Sequence, residues 1–224
     1  MAAPFLGVLM LDTRFPRPPG DAGNPASFAM PVRHAVVRGA TPRRVVHEAD
    51  PALLAPFIAA GRALVRDGAA ALTTSCGFLA RWQGALQEAF DVPVWSSSLL
   101  LLPELAVLRP GIVTADAAAL DAGVLRGAGA DPATPVQGLR PDSALARTLL
   151  DDLPQLDLLE AERTVVAAAL ALRTAHPHVG AIVLECTNLP PYAEAVARST
   201  GLPVHHLLGL VHDRWSRLGL PLLS

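Results

Sequence analysis

Cysteine is almost absent: the 224-residue chain holds two, at positions 76 and 186. That excludes a disulfide-stapled scaffold and suits a reducing compartment, so a cytoplasmic protein is expected. Charge is sparse as well. Charged residues make up 17% of the chain against 51% hydrophobic, with a formal net charge of -2 and a pI of about 6.4. Without a basic excess nothing holds a phosphate backbone, which excludes nucleic acid as a partner. So apolar a chain is not intrinsically disordered either. Long apolar runs are also missing. The mean hydropathy is +0.37, yet stretches such as Ser98-Leu-Leu-Leu-Leu102-Pro103 are broken by Pro, Glu or Arg. A spanning helix needs roughly 20 apolar residues, so no membrane partner is expected. The opening residues, Met1-Ala-Ala-Pro-Phe-Leu-Gly-Val-Leu-Met-Leu-Asp12, have no positive segment and no small-residue cleavage site. They read as a first buried strand rather than a secretory leader.

What is present is an alternation of short apolar runs with helical patterns. The strand candidates are 6–11, 34–38, 70–74, 92–96, 111–115, 179–185 and 202–206. Most are apolar throughout, as strands are when helices cover both faces of a parallel sheet. Asp50-Pro51 reads as an N-cap with proline in the first turn of a helix running to about Arg66. Further helices are expected at 77–90, 99–108, 141–150, 156–175, 188–200 and 207–218. The fold class that follows is α/β with a mostly parallel sheet. Residues 13–31 break the rhythm with five prolines and two glycines. This long loop follows the first strand at its carboxyl end, where open α/β sheets bind ligands, and is expected to wall an active site.

Two distant segments repeat each other. Ala71-Leu-Thr-Thr-Ser-Cys76-Gly-Phe precedes a helical run and Val92-Pro93-Val94; Ala181-Ile-Val-Leu-Glu-Cys186-Thr-Asn precedes a helical run and Leu202-Pro203-Val204. Each proline lies 17 residues after its cysteine, and the offset of 110 is close to half the chain. Two related βαβ halves are implied. Each cysteine ends a buried strand and opens a helix, where backbone N–H groups and the helix dipole favour a thiolate. A pseudo-twofold axis would set the two thiols face to face across one cleft. One could remove a proton from carbon while the other delivers a proton to the opposite face. The same N–H groups would hold a carboxylate. That chemistry needs no metal or organic cofactor.

At Thr73-Thr-Ser-Cys76-Gly77 and Gly180-Ala-Ile-Val-Leu-Glu185-Cys186-Thr187-Asn188-Leu-Pro190 the sequence resembles the aspartate/glutamate racemase superfamily, over the whole chain. The resemblance implies two pseudo-symmetric lobes, each a mostly parallel sheet flanked by helices, with the active site in the cleft between them. The lobes are expected at 1–94 plus about 207–224, and at 95–206. It implies Cys76 and Cys186 as the acid/base pair, with Ser75, Gly77, Thr187 and Asn188 binding a substrate carboxylate. Asp12 and Asn24 would face the substrate from the first strand and its loop. Two departures bear on the substrate: the first motif reads Cys76-Gly77-Phe78 where amino-acid racemases carry Cys-Asn-Thr, and Asn188 follows the second Cys-Thr.

The function expected is a cofactor-independent racemase or epimerase of a small carboxylate, such as an amino acid or a derivative, working as a homodimer. A cis–trans isomerase or decarboxylase of a small dicarboxylate is the alternative on the same fold. A two-lobed ligand-binding protein is the alternative of another class. His206, after the last strand, is a candidate to polarise a substrate oxygen or tune Cys186. His205, His206 and His212 lack a carboxylate or cysteine at metal-ligand spacing, and no metal is expected there. Ser96-Ser-Ser98 lacks the glycines of a nucleophile elbow and reads as a helix cap. Cys76 is expected to ionise more readily than Cys186, which follows the acidic Glu185.

Overall fold

A computed structural model describes residues 3–223. The first half of the chain forms a sheet from β1 (Phe5–Met10), β2 (Val32–Val36), β3 (Ala69–Thr74) and β4 (Val94–Trp95). The second forms another from β5 (Pro110–Thr114), β6 (Val136–Gly138), β7 (Ala181–Leu184) and β8 (Val204–His205). The strand orders are β2-β1-β3-β4 and β6-β5-β7-β8, so each half uses the same winding. Every pairing is parallel; Val8 lies opposite both His34 and Thr73, and Ile112 opposite both Val136 and Val183. Parallel strands need crossovers, and helices on the sheet faces bury them from both sides. The inner strands β1, β3, β5 and β7 are accordingly almost wholly buried.

Two long crossover helices show how local sequence sets the geometry. In α1 (Leu54–Arg66) the buried positions Phe57, Gly61 and Leu64 recur at helical spacing. Asp50 starts the preceding 3-10 turn by accepting from the Ala52 N–H, a cap worth about 1 kcal/mol. After α2 (Gln83–Glu88), α3 (Ala122–Gly127) and α4 (Ala144–Leu150), helix α5 (Leu158–Ala175) makes the equivalent crossover. Asp157 caps α5 through the N–H groups of Leu159 and Glu160. The α5 inner face is Ala161, Val165, Ala168, Ala169 and Leu172; its alanines let the helix lie close to the sheet.

After α6 (Ala193–Thr200), α7 (Leu207–Arg217) returns to the first sheet. Its Leu207, Leu210, Val211 and Trp215 pack with Leu6, Val8, Met30 and Trp95. Trp215 is fully buried, and burying such a side chain contributes roughly 1.5–3 kcal/mol. Helix α3 crosses the other way. At Gly127 a Cβ would lie 2.2 Å from the Ala80 carbonyl oxygen, so only glycine lets α3 rest on the turn that follows β3. The two halves are thereby stitched together at the level of the strand ends.

The α/β class and the two parallel sheets agree with the expectation; some elements do not. Residues 77–82 form a 3-10 helix before α2 rather than a continuous helix. The segment 99–108 is two short 3-10 turns, 98–101 and 106–108, with Pro103 between them. Strand β6 and helix α3 were not foreseen: the first is three residues long, and the second contains two glycines. No helix among the described residues is long and apolar enough to cross a membrane.

Candidate active site

Cys76 follows β3, and Cys186 lies two residues beyond the end of β7. Both are free thiols; Cys76 is buried and Cys186 half-buried. They line one small pocket of about 30 Å³, together with Leu11, Phe15, Ser75, Gly77, Phe78, Glu185 and Asn188. The strand ends are clamped across the halves. The Thr187 hydroxyl donates to the Ser75 carbonyl at 2.6 Å, and the Ser98 hydroxyl to the Leu184 carbonyl at 2.7 Å. The Ser75 hydroxyl oxygen accepts from the Leu11 N–H at 3.0 Å.

Glu185 is wholly buried between the two cysteine turns. Its Oε2 accepts from the Thr114 hydroxyl at 2.6 Å, while Oε1 has no hydrogen-bond partner among the described residues. A Cβ at position 77 would stand 2.2 Å from Oε1 and 2.4 Å from the Glu185 carbonyl oxygen. Glycine at 77 is therefore required by the close approach of residue 185, through both its carboxylate and its backbone carbonyl. Burial pushes the Glu185 carboxyl up to about 7, against the opposing pull of the Thr114 hydrogen bond.

The thiols do not behave as helix N-termini alone would make them. Burial, and after it the Glu185 charge, pushes Cys76 up to about 12; the N–H groups of Phe78 and Leu79 and the Arg17 guanidinium act the other way. Burial and Glu185 also raise Cys186 well above the usual thiol value; the Asn188 N–H opposes this, while Cys76 and Asp21 add to it. Desolvation of a thiolate outweighs a few backbone dipoles, which corrects the expectation of lowered thiols. The two neighbourhoods still differ in sign: a cation acts on Cys76 and a second anion on Cys186.

The loop 13–31 supplies that difference. Arg17 Nη1 pairs with Asp21 Oδ1 at 2.8 Å, Nη2 donates to Thr13 Oγ1 at 2.8 Å, and the guanidinium carbon stands 4.5 Å from the centre of the Phe15 ring. Asp21 Oδ2 accepts from Asn188 Nδ2 at 2.6 Å, leaving Asn188 Oδ1 to accept from the Cys186 thiol at 3.3 Å. Flipping the amide would set two oxygens against each other, so Asp21 holds Asn188 in the orientation that keeps Cys186 protonated. Asp152 latches the loop, accepting from the Arg14 and Phe15 N–H groups at 2.6 and 3.1 Å.

Four of the expected site residues do not line the pocket. The Asp12 carboxylate is committed to Arg38 at 3.2 Å and the Gly39 N–H at 2.9 Å. Asn24 caps the 3-10 turn 25–27 and donates to the Arg17 carbonyl at 2.9 Å. His206 caps α7 through the Gly209 N–H and lines a separate shallow hollow with His205 and His212. A polar residue at a strand end also serves as a local cap, and here capping won. Thr187 does not line the pocket either; its hydroxyl is spent on Ser75. Arg17, Asp21, Thr114 and Glu185 were absent from the expected set. Only Glu185 left a signal, as a carboxylate closing an otherwise apolar strand run.

No family profile matches the chain. Among curated proteins it is similar to a dimethylsulfoniopropionate lyase of Durusdinium sp. clade D, with 31% identity covering 89% of this chain and 70% of that one. It is also similar to dimethylsulfoniopropionate lyases 7 and 6 of Emiliania huxleyi (strain CCMP1516), at 32% and 33% identity over 90% of this chain. The chain spans 63% and 56% of the length of those two relatives. Among solved structures it resembles a glycine-to-cysteine mutant of arylmalonate decarboxylase, with a TM-score of 0.67, 20% identity and coverage of 98% and 96%. An allantoin racemase from Klebsiella pneumoniae gives 0.64, 18%, and 97% and 89%. The Picrophilus torridus aspartate racemase gives 0.53, 12%, and 98% and 96%. These neighbours share the fold of the aspartate/glutamate racemase superfamily. The racemase expectation is overturned, because the sequence kinship runs to lyases and the racemases share the fold only.

Proposed function

Since the chain belongs to the dimethylsulfoniopropionate lyase family, on the fold of the aspartate/glutamate racemase superfamily, we propose that it is a lyase cleaving a β-sulfonium propionate such as dimethylsulfoniopropionate. The observation that carries this reading is the 31% identity to a curated lyase across 89% of the chain. The pocket chemistry supports it. A thiolate takes the proton from the carbon next to the carboxylate, and the C–H electron pair becomes the C=C bond. The C–S bond breaks with its pair going to sulfur, giving dimethyl sulfide and acrylate. The sulfide leaves as a neutral molecule and needs no acid, so a single base suffices.

We assign the base to Cys76: burial and Glu185 hold it mostly as the thiol, but Arg17 and two N–H groups favour its thiolate, whereas no cation acts on Cys186. Cys186 is the neutral partner, its thiol held by Asn188. The hydroxyl proton of Ser75 is free to meet the carboxylate, since its oxygen serves only as acceptor for Leu11. The Phe15 and Phe78 rings in the wall suit a sulfonium cation. The pocket of about 30 Å³ holds little more than one water, so it has to widen to admit a substrate. The test is to supply dimethylsulfoniopropionate to the purified protein and measure dimethyl sulfide in the headspace. Release that disappears in Cys76→Ser supports the proposal. No release, with no α-hydrogen exchange in D2O, overturns it.

A further inference from the structure

We propose that Glu185 is the proton exit of the cysteine pair: its unpartnered Oε1, buried against Gly77, receives the proton that each elimination leaves on a thiol. This rests on the lyase reading. A racemisation is proton-neutral, and two thiols simply exchange roles. An elimination deposits one proton per turnover on its base, in a pocket too small to hold more than about one water. That proton needs a third group.

Glu185 is placed for this. It is fully buried, anchored at one oxygen by Thr114 and without a hydrogen-bond partner at the other among the described residues. Its charge acts on both Cys76 and Cys186. The charged and titratable groups around this cluster are the two thiols, one after β3 and one after β7, and the Arg17–Asp21 pair of the loop after β1. The neutral Thr114 hydroxyl faces Glu185 from the end of β5. Its titration near neutrality lets it both take and release a proton there. The steps balance. The thiol S–H bond breaks with its electron pair returning to sulfur as the one water the pocket holds takes that proton and gives one of its own to Oε1, where an O–H bond forms. Water entering as the products leave then carries the proton away. Glu185 acts through the thiols and not on the substrate.

The experiment compares wild type, Glu185→Gln and Thr114→Val, with dimethylsulfoniopropionate as substrate and iodoacetamide as thiol probe. In Glu185→Gln the thiols lose the nearby negative charge, so alkylation at a given pH becomes faster. Steady-state kcat nevertheless falls by about 10²-fold, a general-base-sized loss, with KM unchanged. The first turnover survives as a burst of one product per site. Thr114→Val removes the hydrogen bond that lowers Glu185, so the kcat–pH inflection near 7 moves upward. A Glu185→Gln variant that turns over as fast as wild type, or a Thr114→Val variant whose inflection stays in place, overturns the inference alone. A wild type that releases no dimethyl sulfide overturns the lyase reading, and the inference with it.

Discussion

The two halves repeat one winding and one cysteine turn, yet the residues flanking the second cysteine are both larger than those flanking the first. Beside Cys76 stand Ser75 and Gly77; beside Cys186 stand Glu185 and Thr187. Thr187 reaches across to the Ser75 carbonyl. Its counterpart Gly77 cannot reach back, because the Glu185 carboxylate and carbonyl occupy that space. The scaffold is pseudo-symmetric and the surroundings of the two thiols are not. A fold that suits inversion by two equal thiols has been loaded on one side with a buried acid. That asymmetry is what a reaction moving one proton in one direction calls for.

Unequal thiols should have unequal mutational effects. Cys76→Ser is expected to lose 10²–10⁴-fold in elimination, the range of a missing general base, while Cys186→Ser keeps measurable release. Equal losses in headspace assays would restore the symmetric picture. Next in size is stability. The Glu185 carboxyl rises from 4.5 unfolded to about 7 folded. The native state then binds the extra proton, so its stabilisation is full below about pH 4.5 and is lost as pH rises through 7. Glu185→Gln should match wild type in urea unfolding at pH 4 and exceed it by about 3 kcal/mol at pH 8. A difference independent of pH would contradict the buried charge.

Gly77→Ala puts a methyl group where Glu185 lies and should cost about 1–3 kcal/mol, read as a lower Tm. In the double variant with Glu185→Gly the part of that cost owed to the carboxylate should vanish, while the part owed to the backbone carbonyl of residue 185 remains; a cost unchanged from the single variant would break the steric link to the side chain. The smallest effect is expected at the latch. Asp152→Ala removes the acceptor for Arg14 and Phe15, and should raise the alkylation rate of the pocket thiols by about tenfold or less. No change would mean that the loop opens elsewhere.

How far the sequence reached follows from range. The Cys76 and Cys186 repeat was legible because a strand, a cysteine and a proline recur at one offset within each half. Helix α1 was legible from its Asp50 cap and the spacing of Phe57, Gly61 and Leu64. Asp12, Asn24 and His206 lie outside the pocket because polar residues at element ends satisfy backbone groups as readily as ligands. Arg17 and Asp21 lie in a proline-rich loop whose path no periodicity describes. The meaning of Gly77 was hidden because it depends on contact with Glu185, more than a hundred residues away.

The central claim, that the two thiols carry different protonation tasks, is tested most directly by a ¹³C-cysteine NMR titration of the free protein. The Cβ shifts report each thiol without depending on reagent access. The account predicts two separated steps, with Cys76 ionising at the lower pH, and with both steps moving down in Glu185→Gln. Coincident titration of the two cysteines, or Cys186 ionising first, would contradict it.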